Sequence, residues 1–279
     1  MSKKLQALFG LLMVFSMILS ACAPAAAPVA EVTEAPIVVT EAPVVVVAPD
    51  AQVLFAGLVD TLTADNGYGS VSAAKYSEEM VDSPAFLLDV REVSEIEADG
   101  YIDGAVSIPV REVLNNLDKL PGLDEPIVVY CASGHRGAMV MSSLKLLGYT
   151  NVRNLGGGLG GWKKANLAVV TGSMPEAPAA ISTPIVADQA LFEMLNGFLS
   201  GLPEGYFTVK SDKLAEELVD AAPVIIDVRP TSDWDKDGYI EGAINIPFND
   251  FFASTDKLPA KDQAIVVYCA SGHRGAIIM

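Results

Sequence analysis

The sequence predicts an α/β fold, a mainly parallel sheet flanked by helices on both faces, in two tandem copies of which the second is incomplete. Three observations predict it. Short, nearly unbroken apolar runs end in a charge or a polar loop, as strands buried on both faces do. Segments with apolar residues at helical spacing separate these runs. The pattern also occurs twice: Cys131-Ala-Ser-Gly-His-Arg136-Gly137 recurs letter for letter as Cys269-Ala-Ser-Gly-His-Arg274-Gly275, each after Ile-Val-Val-Tyr. Asp89-Val90-Arg91 matches Asp227-Val228-Arg229, and Gly100-Tyr101-Ile102 matches Gly238-Tyr239-Ile240, all at one offset of 138 residues. A repeat of that length is a domain, whereas solenoid units have periods of about 20–50 residues.

In chain order, Lys3 and Lys4 precede an apolar run from Leu5 to Leu19, which leads into Leu19-Ser20-Ala21-Cys22. Residues 1–21 read as an export signal, shorter than the roughly 20 apolar residues of a membrane span. Leu-Ser-Ala-Cys resembles the lipobox of bacterial lipoproteins. That resemblance implies removal of the signal before Cys22, lipid on Cys22, and domains held outside the cytoplasm on a bacterial membrane. Residues 22–50, rich in Ala, Pro and Val, have Pro at short intervals and are expected to form a tether. A first domain is expected over 51–172, a Pro/Ala-rich linker over 173–187 and a second domain over 188–279.

Within the first repeat, 85–90 and 127–130 read as buried strands, and 151–155 supplies a further short one. Residues 111–117 and 137–147 carry helical spacing. In a parallel sheet the ligand site lies at the carboxyl ends of the strands. Cys131 directly follows a strand and directly precedes a helix, which is that position.

The 279 residues are 51% hydrophobic and 19% charged, enough for packed cores. A formal net charge of −17 excludes nucleic acid as an expected partner, since phosphate backbones demand clustered Lys and Arg. Of three Cys, one is assigned to lipid and two occupy identical places in separate repeats, so no disulfide within a domain is available. A free thiol retained in each copy points to chemical use. A strand-to-helix loop turns successive N–H groups inward as a nest for negative charge, Gly134 permits the tight turn, and Arg136 adds a cation. Such a setting favours a nucleophilic thiolate.

The chain resembles the rhodanese sulfurtransferase family. The resemblance rests on Leu88-Asp89-Val90-Arg91, the run Gly100 to Pro109, the Cys131 loop, and the run Asn154 to Trp162 with its Gly156-Gly157-Gly158. Tyr101 departs from the His more frequent there. The resemblance implies that Cys131, and Cys269 in the second copy, takes the outer sulfur of a donor such as thiosulfate as a persulfide. A thiophilic acceptor such as cyanide, a thiol or a protein then receives it, with no metal or organic cofactor. Ala132, Ser133, Gly134, His135, Arg136 and Gly137, with Ala270, Ser271, Gly272, His273, Arg274 and Gly275, are the expected substrate-binding loops. The resemblance also implies that phosphatases and arsenate reductases related to this fold use five residues between Cys and Arg; four stand here, and the narrower nest is expected to suit a single sulfur atom better.

His135 and His273 read either as donors or cations at the mouth or as exposed loop residues chosen for size. Ser133 reads either as a donor to substrate or as a small turn residue. Asp89 with Arg91, and Asp227 with Arg229, are expected to brace neighbouring loops, and Trp162 to close the core. A sulfur-binding or protein-binding module without turnover is the alternative function, which the intact Cys, Gly and Arg of both loops disfavour. The second repeat stops at Met279, before counterparts of the elements from Gly137 to Trp162. Its domain is expected to be poorly folded or inactive if the protein ends there, and a sequence cut short accounts for the same observation.

Overall fold

The structure, a computed structural model, describes residues 50–174, 177–220 and 222–279. The expected export signal, Cys22 and all of the expected tether except Asp50 lie outside the described residues. The first repeat opens with α1 (Ala51–Thr61), whose N-cap Asp50 accepts from the Gln52 and Val53 amides. Its sheet comprises β1 (Ser70–Val71), β2 (Phe86–Asp89), β3 (Val106–Ser107), β4 (Ile127–Tyr130) and β5 (Val152–Leu155). The order is β1-β5-β4-β2-β3, with every pair parallel. The three longer strands are those the apolar runs mark. β1 and β3 are two residues each, too short to carry any periodicity.

Successive residues of the central strands serve opposite faces. Leu88, Ile127 and Val129 join one apolar cluster, and Leu87, Val128 and Tyr130 the other. The second cluster packs under α2 (Ala73–Asp82) and α5 (Gly158–Lys164), where Trp162 is buried and donates Nε1–H to the Ala168 carbonyl at 2.8 Å. The first lies under α4 (His135–Leu146), in which every residue from Arg136 to Leu144 is buried. The helix expected over 111–117 is instead a 3₁₀ helix, Val113–Lys119, broken at Asn116. α3 (Val93–Asp99) links β2 to β3.

The second repeat builds β6 (Val224–Asp227), β7 (Ile244–Asn245) and β8 (Ile265–Tyr268) in the order β7-β6-β8, again parallel. Its register repeats the first: Asp227 faces Tyr268 as Asp89 faces Tyr130. Among the described residues nothing pairs with the outer edge of β8. Ile265 is 40% exposed, where its counterpart Ile127 is fully buried.

The two repeats exchange their first helices. α6 (Gln189–Ser200), the counterpart of α1, lies against the first repeat's Val113–Lys119 helix and α4, with Leu191, Leu195 and Leu199 buried. In return, α1 lies on the second repeat, where Asn249 Nδ2 donates to the Val59 and Leu62 carbonyls at 3.0 Å each. One apolar cluster therefore runs from Leu88 and Val129 through Leu195 to Ile226 and Ile277. Residues 177–187 do not hang free as an extended tether, because Ile181 and Ser182 N–H both donate to the Asp118 carbonyl.

Candidate active site: two cysteine loops closed by exchanged tyrosines

At the end of β4, Cys131 is fully buried and its Sγ accepts the Gly134 N–H at 3.2 Å. Gly134 has φ +93°, a left-handed conformation that glycine adopts without a Cβ clash. The amides of His135, Arg136 and Gly137 follow in the first turn of α4, where no carbonyl four residues back is available to them. The Gly-rich start of α5 backs the loop: Leu159 and Gly160 N–H donate to the Cys131 and Ala132 carbonyls at 2.8 and 2.9 Å. Asn154 Nδ2 holds the Gly134 carbonyl at 2.9 Å. Ala132 and Ser133 form the exposed rim. Beneath, Arg91 pairs with Asp89 at 2.6 Å and donates to the Gly100 carbonyl, all fully buried, so these two residues brace the strand end.

The second loop repeats this geometry. Gly272, at φ +82°, donates to Cys269 Sγ at 3.2 Å, and Arg229 pairs with Asp227 and reaches the Gly238 carbonyl. Cys269 itself is only partly buried. The profile of the rhodanese-like domain matches residues 72–165 and 211–278, more than half of the chain. The chain belongs to the rhodanese family. It is 32% identical over 101 residues to a sulfurtransferase of Allochromatium vinosum, covering 36% of this chain and 92% of that one. It is 32% identical over 109 residues to the human thiosulfate:glutathione sulfurtransferase, covering 34% of this chain and 94% of that one. Over 258 residues it is 24% identical to the 3-mercaptopyruvate sulfurtransferase of Escherichia coli, covering 74% of this chain and 85% of that one.

In this chain, Arg136 is engaged by other protein groups. Its Nη1 and Nη2 both bond Glu95 at 2.6 Å, and its guanidinium lies 4.4 Å from the centre of the Tyr206 ring, which comes from the other repeat. Burial is the largest single influence and works against the Arg136 charge, but the Glu95 hydrogen bonds and the attraction of Cys131, Glu95 and Tyr206 together outweigh it and hold the guanidinium protonated. Tyr206 is sandwiched, with Arg111 4.7 Å from its ring and its Oη–H donating to Glu92 at 2.8 Å. Arg111 in turn bonds Glu92 and the Leu202 and Pro203 carbonyls. Reciprocally, Tyr68 of the first repeat covers Arg274 at 4.7 Å. Both tyrosines have left-handed backbones, φ +56° and +54°, a cost of about 1–3 kcal/mol that persists only where surroundings over-determine it.

The histidines fit neither of the roles expected from sequence. His135 and His273 are drawn into the inter-repeat seam, where Nε2–H donates to the Tyr206 carbonyl at 2.9 Å and to the Tyr68 carbonyl at 2.8 Å. His273 Nδ1 faces Asn154 Nδ2 at 2.8 Å and so accepts, which fixes the neutral Nε2–H tautomer. Burial pulls both pKa values down, helped by the adjacent Arg136 and Arg274 and opposed by the tyrosine carbonyls. A histidine whose folded pKa lies below its unfolded value of about 6.5 binds fewer protons when folded, so its contribution is complete above that pH and fades as pH falls beneath it. Acidifying from about pH 7.5 to about pH 5.5 is therefore expected to lower unfolding free energy. Urea titrations should show this slope flattened in the His135→Gln/His273→Gln variant; an unchanged slope would contradict the assignment.

The structure thus brings Cys131, Gly134, His135, Arg136 and Gly137 into one loop, with Asp89 and Arg91 beneath it. Sequence reasoning missed Glu92, Glu95, Arg111, Asn154 and the two tyrosines. One signal for the tyrosines was present: Gly67-Tyr68 and Gly205-Tyr206 match at the same offset of 138 residues.

Proposed function

We propose that this rhodanese is a membrane-anchored, extracytoplasmic sulfurtransferase that moves sulfane sulfur through a persulfide on Cys131, and on Cys269 by the same chemistry. The observation that carries the reading is the buried Cys131 Sγ, held by the Gly134 amide at the mouth of a four-residue nest. The thiolate attacks the outer sulfur of thiosulfate or of a low-molecular-weight persulfide. A new S–S bond forms at Cys131, the donor's S–S bond breaks, and sulfite or a thiolate leaves with the electron pair. The same amides that receive the thiolate receive the persulfide anion, so the intermediate needs no rearrangement of the loop. Cyanide or a thiol then takes the terminal sulfur and restores the thiolate, a thiosulfate:cyanide type of reaction.

The name of the human relative, a thiosulfate:glutathione sulfurtransferase, supports this donor class, and the four-residue nest supports sulfur over a tetrahedral oxyanion. The location rests on Lys3, Lys4, the apolar run to Leu19 and Cys22. One experiment tests both parts: the full chain is expressed in a bacterium, fractionated and assayed for thiocyanate from thiosulfate and cyanide. Activity is expected in the membrane fraction, in the soluble fraction for Cys22→Ala, and in neither for Cys131→Ser/Cys269→Ser. Cys22→Ala activity that stays with membranes would contradict the anchor, and activity in the double variant would contradict the chemistry.

A further inference from the structure

β5 carries one side chain that its face of the sheet does not call for. Side chains two apart in a strand point to the same side, and Val152 there joins the apolar cluster under α4. Asn154 follows on that face, fully buried, and its Oδ1 has no hydrogen-bond partner, where buried polar atoms ordinarily have one. Gly137 makes room for the amide, since a Cβ at that position would fall on Asn154 Oδ1. At the equivalent Gly275 an added Cβ meets nothing closer than the Val267 carbonyl oxygen at 3.3 Å. Both hydrogens of the amide nitrogen are spent, one on each repeat. Asn154 Nδ2 donates to the Gly134 carbonyl at 2.9 Å and to His273 Nδ1 at 2.8 Å. Gly134 is the residue whose N–H holds Cys131 Sγ, and His273 follows Gly272, whose N–H holds Cys269 Sγ. The amide therefore reaches from the first cysteine's nest to the second cysteine's loop.

With Oδ1 bonded to nothing, these two acceptors alone fix the amide. We propose that Asn154 is a positioning residue through which His273 of the second loop holds the Gly134 amide on Cys131, so that sulfur loading at Cys131 depends on a side chain of the other repeat. The inference rests on the sulfur-transfer reading above. Without the Nδ1 acceptor one buried N–H of Asn154 is orphaned, and the amide can recover a bond only by leaving the geometry that holds the Gly134 carbonyl. Gly134 stands at φ +93° with its carbonyl on Asn154 and its N–H on the sulfur, so a displaced carbonyl carries the N–H with it through a single Cα. The nucleophile then loses the donor that orients it.

Two substitutions at His273 separate this role from its place in the seam. Asn carries its Oδ1 where His carries Nδ1, and Gln carries its Nε2 where His carries Nε2. His273→Asn therefore keeps the acceptor for Asn154 and loses the bond to the Tyr68 carbonyl, whereas His273→Gln does the reverse. Full-length proteins are exposed to thiosulfate, and sulfur on the Cys131 peptide is followed in time by site-resolved mass spectrometry. At saturating thiosulfate, His273→Gln is expected to load Cys131 at least about fivefold more slowly than the unsubstituted protein, the equivalent of one buried hydrogen bond, with the half-saturating concentration unchanged. His273→Asn should load at close to the unsubstituted rate. Asn154→Leu should match His273→Gln, and adding His273→Gln to it should cause no further loss. Unslowed loading in His273→Gln, equal slowing in His273→Asn, or a further loss in the Asn154→Leu background would overturn the inference while leaving sulfur transfer standing. A second arm, independent of sulfur chemistry, measures hydrogen exchange at the Gly134 amide, expected to be faster in His273→Gln and unchanged in His273→Asn. That pattern in a chain whose cysteines gain no sulfur would uphold the coupling and sink the sulfur-transfer reading. A Gly134 amide that exchanges alike in all three proteins would overturn the coupling.

Discussion

Asp89→Ala is expected to cost about 3–5 kcal/mol of stability, the typical effect of stripping one partner from a buried ion pair. Arg91 and Asp89 are both fully buried, and the guanidinium spends Nε and Nη2 on the carboxylate at 3.0 and 2.6 Å. The same carboxylate also accepts the Arg91 backbone amide at 3.0 Å. Removal would leave a charge in the apolar interior with the Gly100 carbonyl as its remaining strong acceptor, while Arg91 Nη1 already has no partner. Against a typical total of about 5–15 kcal/mol, that loss is enough to unfold much of the population at moderate urea. Asp227→Ala strips the matching pair, but Arg229 keeps some exposure, so water can replace part of what is lost and a smaller effect is expected. Urea midpoints for the two variants measure the difference. A loss below about 1 kcal/mol for Asp89→Ala, the range of an exposed pair, would show that the brace is not structural.

Gly158→Ala is expected to remove sulfur loading from Cys131 while most of the fold survives. Gly158 sits at φ +53°, and a Cβ there would stand 2.9 Å from the carbonyl carbons of both Cys131 and Ala132, and closer still to the Cys131 oxygen. Those atoms are backbone and cannot swing aside as a side chain would. The start of α5 must therefore move, and with it the Leu159 and Gly160 amides that hold the Cys131 and Ala132 carbonyls. Displacing a nucleophile by about 1 Å is enough to cost roughly 100-fold in rate. Gly104→Ala is the control: φ is +78° there, yet nothing lies within 4 Å of the added carbon, so backbone strain acts alone. Normal loading of Cys131 in folded Gly158→Ala protein would show that α5 does not position the loop.

The fold and the nucleophile were legible because the signals are local. Ile127-Val128-Val129-Tyr130 followed at once by Cys131 reports strand, loop and helix start within a dozen residues. Asp89 and Arg91 stand two apart at a strand end, so their pairing needs no knowledge of the rest. The surroundings of Arg136 were not legible, because Glu95 meets it only through tertiary packing and Tyr206 only through the exchange between repeats. Glu92 and Glu95 look like solvated charges at the start of a short helix. Arg111 looks like a surface cation, and it becomes a clamp only when Tyr206 arrives from the second repeat. The places of His135 and His273 were not legible for the same reason: their bonds to the Tyr206 and Tyr68 carbonyls cross the seam, which leaves His135 half-buried and His273 buried.

The most direct measurement is site-resolved mass spectrometry of residues 23–279 after exposure to thiosulfate and then to cyanide. The account predicts one added sulfur on each loaded cysteine, Cys131 among them, removed with release of thiocyanate. A folded, reduced protein in which neither Cys131 nor Cys269 gains sulfur from thiosulfate or a persulfide donor would contradict it.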